Sequence, residues 1–563
     1  MLPMTCVKKM KEIIKKINTC FSIYQDKYSN IRTYLICASF ILSVFAIWFF
    51  NVGLLPFKSP YDFVLFVLLA LIFAIYRPGW AFLLFVGAIA LENINLAAEN
   101  LPLALRPYQF LAALVIISVF FQIAAKRLSF ALPRFHWYDA LPAAFAAAGF
   151  VGALFSPDKT ASFKQSLVAL SFAAIYFLVR IYIRNIDDAR KILPFFLSGA
   201  LAVVIWAILQ NVIFEWGGNH FQVMPGRPNS TFPEPDWLGI YLVFVLAVIC
   251  ALAYNTFNYK SQNFSILKQR LLYSTLLLLT FVALILTVSR SAWLGAFFVL
   301  MSFLVTTLFS SDAGHIDGSA QRSQGFLAAL KMTNLNWRKF FHALQFLTVV
   351  FICSIAIVYI FGLTRFQIFN RATSTAGQQK ITIACSAGLS PSVPHEIKDV
   401  AELGQYNCRH INLEDIEEEK ANGYEIREVY RPDPNVNIRA EIYKKSFAEI
   451  KNNPILGIGW GSIGSVLGKD ERGASLNASN IFLEMWLGAG IIGLLSLAVL
   501  FGYIFVRSAK QFLDKKNENK TAAAFVMLGW AAIVIPNLFN SGIFLGFVWV
   551  YLAIAVSLVE DNN

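Results

Sequence analysis

"LLYSTLLLLTFVALILTVSRSAWLGAFFVLMSFLVTTLF", residues 271–309, decides the fold. Arg290 is the one charge in it. The runs on either side, 271–289 and 291–309, each approach the ~20 apolar residues that cross a hydrocarbon core. Lipid offers the backbone no hydrogen-bond partner, so each run must be a helix. An arginine at mid-bilayer costs about 2.5–3.5 kcal/mol on insertion scales and much less at an interface. Arg290 therefore belongs at a tight turn between two spans, near a membrane surface.

The same pattern extends along the chain. Its 563 residues are 57% hydrophobic and 14% charged, with a mean hydropathy of +0.59. A soluble chain of this size carries more charge. Fourteen spans are expected, near 33–50, 61–76, 80–97, 107–125, 138–155, 164–180, 192–214, 237–254, 271–289, 291–309, 342–363, 480–506, 521–538 and 541–558. The fold class is thus an all-α polytopic membrane protein with one large extracytoplasmic loop. No cleavable signal peptide is expected, because the basic start runs straight into a full span. The net charge of +13 is explained by lysine and arginine gathering in cytoplasmic segments, not by a nucleic-acid partner. With the N-terminus inside, the inner segments hold 27 of the 47 Lys and Arg, and the short outer loops hold six: Lys58, Arg106, Lys159, Lys164, Arg227 and Arg290. Both termini are expected to be cytoplasmic, in a multi-pass protein of the inner membrane.

Four regions follow. Residues 1–32 form a basic cytoplasmic segment in which Val7, Met10, Ile14, Ile17 and Phe21 keep helical spacing, as in an interfacial helix. Residues 33–363 hold spans one to eleven, 364–479 the large outer loop, and 480–563 the last three spans with a cytoplasmic tail. The outer loop contains Cys385 and Cys408, in the compartment where disulfides persist, and a bridge between them is expected. The charged run Glu414 to Lys420 is read as a solvated helix face. Near 438–451, Ile438, Ile442, Tyr443, Phe447 and Ile450 make an apolar stripe with Arg439, Lys444, Lys445 and Lys451 interleaved. Asn452-Asn453-Pro454 should stop that helix. The glycines of "GIGWGSIG", 457–464, match the letters of a dinucleotide fingerprint, but the fingerprint needs a preceding strand and a βαβ unit. Close packing is the better expectation. The six histidines are scattered without metal-ligand spacing, so no metal and no cofactor are expected.

Two outer arginines stand out. Arg227 lies in "MPGRPNSTFPEPDWLGIYL", 224–242, with Glu234 and Asp236, just before a span, and Arg290 lies at the turn already described. Two guanidiniums near one interface can clamp a diphosphate, which favours planar, bidentate donors. Taken in order, "RPNSTFPEPDWLGIYL", "TVSRSAWLG", "NNPILGIGWG" and "SNIFLEMWLGAGIIGLL" resemble the O-antigen ligase and O-antigen polymerase superfamily over about 200–505. The resemblance implies a metal-independent, inverting glycosyltransferase. It moves a glycan from a polyprenyl diphosphate carrier to an acceptor hydroxyl on the outer face of the cytoplasmic membrane. It also implies that Arg227 and Arg290 hold the diphosphate, and it leaves room for other envelope-glycan assembly proteins as partners.

One position departs from the ligases. They carry a His-Asn pair followed by small residues; Asn480, Gly490 and Gly493 fit that frame, but the histidine is replaced by Ser479. Serine cannot do histidine's acid–base work near neutral pH. Glu234, Asp236 and Glu484 are the candidate bases, and Arg439, Ser479, Asn480 and Glu484 the candidate substrate contacts. Two other readings stand beside the transferase. A flippase of lipid-linked sugars should line a path with charges deep in several spans. A peptidoglycan-type polymerase would not be expected to carry this Gly-rich approach to a late span.

Overall fold

The computed structural model describes residues 29–101, 104–126, 132–218, 221–224, 226–257, 264–309, 335–363, 378–386, 393–398, 400–411, 416–432, 434–468, 475–514 and 519–560. The expected amphipathic segment at 7–21 lies outside them. The membrane part begins with α1 (Ser29–Asn51), α2 (Pro60–Tyr76), α3 (Pro78–Gly87), α4 (Pro107–Ala124), α5 (Ala140–Phe155), α6 (Lys159–Tyr182) and α7 (Ile186–Glu215). It continues with α8 (Pro235–Phe257), α9 (Phe264–Leu286), α10 (Arg290–Leu308) and α11 (Trp337–Ile360). Among the described residues, eleven helices are long and apolar enough to cross a membrane, or twelve if the bent pair α2–α3 is one span. α1 and α2 turn Leu42, Trp48, Leu65, Leu69 and Ile72 outward, as lipid-facing helices do, whereas α8 is buried along most of its length.

The span expected at 80–97 is corrected. Only Pro78–Gly87 is a long helix there, bent by 118° from α2. The reason is polar. Glu92 Oε1 accepts from Gly546 N, and Oε2 accepts from the Tyr108 hydroxyl and pairs with Arg106 at 2.8 Å. Asn95 Oδ1 accepts from Ala97 N and Leu105 N, so the segment folds back on itself instead of continuing as a helix. Irregular backbone at membrane depth is tolerated where protein satisfies it. The Glu92 carboxylate also meets the N-terminus of the last helix, where orphan N–H groups favour an anion.

The long segment between α11 and the last three helices adds a small sheet to the helical plan. Its strands β1 (Gln378–Ser386), β2 (Cys408–Ile411) and β3 (Tyr424–Pro432) run antiparallel in the order β2-β1-β3. Cys385 and Cys408 are register partners and are joined by a disulfide. Ile381, Ile383, Leu403 and Val429 fill the core beside it. The short α12 (Ile416–Ala421) takes part of the expected charged helix, and α13 (Pro434–Asn452) ends at the Asn-Asn-Pro stop. On α13 the apolar stripe divides: Ile442 and Ile450 are buried, while Ile438 and Phe447 are exposed.

A one-turn α14 (Ile463–Leu467) precedes α15 (Ile481–Leu513), α16 (Lys520–Asn537) and α17 (Gly546–Val559). α15 has 33 residues and a break at Gly490, where φ is 65°. At 1.5 Å per residue its whole length is about 50 Å, more than a core of about 30 Å needs. The part beyond the break spans the core alone, which puts 481–489 toward the membrane surface. The Gly-rich loop closes the break. Ile458 N donates to Leu487 O at 2.7 Å, Ile491 N donates to Ile455 O at 3.2 Å, and Trp486 Nε1 donates to Pro454 O at 2.8 Å. A Cβ at Gly490 would stand 2.0 Å from Ile455 O, so the loop approaches where no side chain fits. The helix α13, not a strand, leads directly into "GIGWGSIG", and its glycines serve close packing.

Candidate functional site

The site begins with a strained turn. Thr287 and Val288 end α9 with N–H bonds to Ala283 O and Ile285 O. Val288 then takes a φ of 51°, although it is β-branched and buried. Such a residue at positive φ is a genuine outlier, and strain of this kind gathers at functional turns. It reverses the chain so that Ser289 becomes the N-cap and Arg290 the first residue of α10. Arg290 is half-buried there, at a helix end that favours anions.

Arg227 lies beneath this turn. Its guanidinium is 6% exposed: Nε donates to Thr287 O at 3.0 Å, Nη1 to Met224 Sδ at 3.3 Å, and Nη2 to Asp236 Oδ1 at 3.2 Å. Its loop is a buried plug. Ser230 N donates to Gln210 Oε1, the Ser230 hydroxyl to Val203 O, and the Thr231 hydroxyl to Ala90 O. Asp236 is thus the partner of Arg227, and Glu234 sits at the start of α8, where its carbonyl accepts from Leu238 N. The structure therefore brings Arg227, Asp236 and the Arg290 turn together, with Arg227 holding the carbonyl three residues before Arg290.

The second half gathers on the turn after α16, residues 538–541. Asn480 caps α15 by accepting from Phe482 N and Leu483 N, and its Nδ2 donates to Leu538 O at 3.0 Å. Arg439 Nη2 reaches Phe539 O at 3.4 Å. Asn540 Nδ2 donates to Ser291 Oγ at 2.8 Å. Glu484, 8% exposed, accepts from Ala478 N at 2.6 Å and from the Ser541 hydroxyl. Four consecutive residues therefore touch Asn480, Arg439, the neighbour of Arg290 and Glu484. Ser479 has a φ of 48°; its N–H donates to Asn477 Oδ1, and its carbonyl accepts from Tyr443.

Sequence reasoning missed Thr287, Asn540 and Ser541. The available signal is "NLFNSG", 537–542, a polar knot at the split between the expected spans 521–538 and 541–558. Among the described residues no three His, Cys, Asp or Glu side chains converge as a metal site requires.

Comparison with known families covers part of this site: the Arg290 turn, Arg439, Asn480 and Glu484, but not Arg227, Asp236 or the 538–541 turn. A family model described as O-antigen ligase matches residues 275–498. Residues 275–498 are thus similar to an O-antigen ligase domain. The matched stretch includes the Arg290 turn, the long segment 364–479 and α15 as far as the break and beyond. No curated protein and no solved structure gives a match. The domain supports a ligase-like role in the cell envelope, and the apolar helices make the chain a multi-pass membrane protein.

Proposed function

We propose that this protein is an inverting glycosyltransferase that takes a glycan from a polyprenyl diphosphate and gives it to an acceptor hydroxyl at the outer face of the cytoplasmic membrane, without a metal. The observation that carries the reading is the 538–541 turn, where the Arg290 turn meets Arg439, Asn480 and Glu484. Charge develops on the diphosphate as the anomeric bond breaks. A fixed guanidinium at a helix N-terminus in a water-poor site stabilises that charge without reorganising. The lipid tail stays in the bilayer while the diphosphate rises to the level of Arg290. Arg227 contributes by holding the turn. The flippase reading is weaker, because Glu92, the charge that would have marked a path, is bound to Arg106, Tyr108 and Gly546.

The test is deletion of the gene in its host, with surface glycan and lipid-linked glycan measured together. Loss of a surface glycan with accumulation of the diphosphate-linked form is expected. Short chains still attached would mark a polymerase, and full chains left on the carrier a ligase. An unchanged glycan profile would refute the transferase. With both termini inside, and with the chain of α3 and that of α17 each completing a crossing, exposed Lys444 faces outward; Lys444→Cys should react with an impermeant maleimide on intact spheroplasts. Reaction only after permeabilisation would reverse the orientation.

A further inference from the structure

We infer that the cleft between the Gly-rich loop and the start of α15 seats the acceptor sugar, with Glu484 receiving the proton of its attacking hydroxyl. This rests on the transferase reading above. The cleft has a volume of ≈ 370 Å³, and its walls include Trp460, Ile463, Ser465, Ser475, Leu476 and Glu484. Such a volume lies in the range of small-ligand pockets, roughly 300–1,000 Å³. Its walls suit a sugar ring. The partly exposed Leu476, backed by the buried Trp460 and Ile463, offers apolar surface to C–H faces, and the exposed Ser465 and Ser475 offer hydroxyls to the ring's polar edge.

Glu484 selects the ligand class. Its carboxylate is 8% exposed and is met by Ala478 N and Ser541, with no cationic side chain among the described residues balancing it. A buried acid near a membrane surface without a counter-charge is costly and is retained for a purpose. It would repel the diphosphate of the donor. A neutral hydroxyl, which donates to a carboxylate, fits instead. Donor and acceptor then meet across one turn: Ser541 touches Glu484, and the preceding Asn540 touches Ser291, the neighbour of Arg290.

The step balances. The acceptor oxygen forms a bond to the anomeric carbon as the bond from that carbon to the diphosphate oxygen breaks. The bonding pair leaves on the diphosphate beside Arg290. The acceptor proton passes to Glu484 and from there to water. This assigns to Glu484 the acid–base work that Ser479 cannot do.

The experiment compares Glu484→Gln and Ser475→Trp, the second placing a bulky ring at the exposed rim of the cleft. Membranes from cells making the natural donor are assayed for conversion to glycan product. Binding of undecaprenyl diphosphate to the purified full chain is measured separately as the donor-side probe. Glu484→Gln should slow product formation by about 10²–10⁴-fold, as loss of a general base does. Ser475→Trp should also abolish most of it, and both should bind the probe as the wild type does. Product formation within about threefold of wild type in either variant overturns the acceptor cleft. So does loss of probe binding in Glu484→Gln, because the residue would then serve the donor. If Glu484→Gln fails to reach the membrane, Ser475→Trp decides alone. Failure of the transferase reading looks different: Arg290→Ala would keep both product and probe binding.

Discussion

Arg227→Lys separates two roles that guanidiniums at this site could have. The sequence pattern suggests two arginines gripping one diphosphate, but the structure buries Arg227 under the turn that carries Arg290. Its Nε holds Thr287 O at 3.0 Å while Nη2 holds Asp236 at 3.2 Å. A lysine has one nitrogen and cannot reproduce the planar fork that serves both. Losing one hydrogen bond to a charged group costs about 1.5–3 kcal/mol. If that cost is felt wholly as misplacement of Arg290, the rate falls roughly 10- to 150-fold at 1.36 kcal/mol per decade. The assay is conversion of lipid-linked donor to product in membranes, normalised to expression, for Arg227→Lys, Arg290→Lys and the double variant. If Arg227 acts only through the turn, the double variant should fall within about twofold of Arg290→Lys. Losses that add to within about 0.3–0.5 kcal/mol, the mark of independent sites, would refute the positioning role and give Arg227 its own diphosphate contact.

Gly490→Ala should destabilise the protein severely: a left-handed φ costs a residue with a Cβ about 1–2 kcal/mol and overpacking a further 1–3 kcal/mol, and the added carbon would meet Ile455 O at 2.0 Å. A thermal midpoint in detergent equal to wild type would show that the loop does not rest on the break. Alkylation of the purified protein should leave Cys385 and Cys408 unmodified until reductant is added; free reaction of both without reductant would exclude the bridge. Ser479→Ala should cost no more than about 0.5–1.5 kcal/mol, the worth of one hydrogen bond, because the backbone of Ser479 makes its observed contacts. A thousandfold loss with intact donor binding would give the hydroxyl a chemical role.

Hydropathy located most of the helices because lipid leaves the backbone no other choice. It failed at 80–97 because a window average is insensitive to what Glu92, Asn93 and Asn95 bind, and their partners come from residues as distant as Thr231 and Gly546. The break at Gly490 was invisible for a related reason. A glycine in an apolar helix reads as a small residue, and only the close approach of Ile455 shows that it is a hinge in the chain's path. The sheet in the outer segment depends on pairing between strands far apart in sequence, although "KITIAC" carries the alternation of a strand.

The site was legible as a set of residues but not as an arrangement. Charge at an outer turn singled out Arg290 and Arg227 because the positive-inside bias makes outer arginines a minority. That argument counts charges and cannot rank them. Depth ranks them: the guanidinium of Arg227 is spent on Thr287 and Asp236, whereas Arg290 opens a helix at the end of a strained turn. The carboxylates divide in the same way. Asp236 is committed to Arg227, while Glu484 is opposed by two neutral donors and lines a cleft. Of the two, Glu484 is the carboxylate that meets no cationic side chain among the described residues, which is why the substrate hydroxyl is assigned to it. On the proposed reading, Ser479 at the position of the ligases' histidine and Glu484, one helical turn beyond the Asn480 cap, belong to one acceptor-side arrangement. The turn at 538–541 joins it to Ser291 beside Arg290, through Ser541 and Asn540.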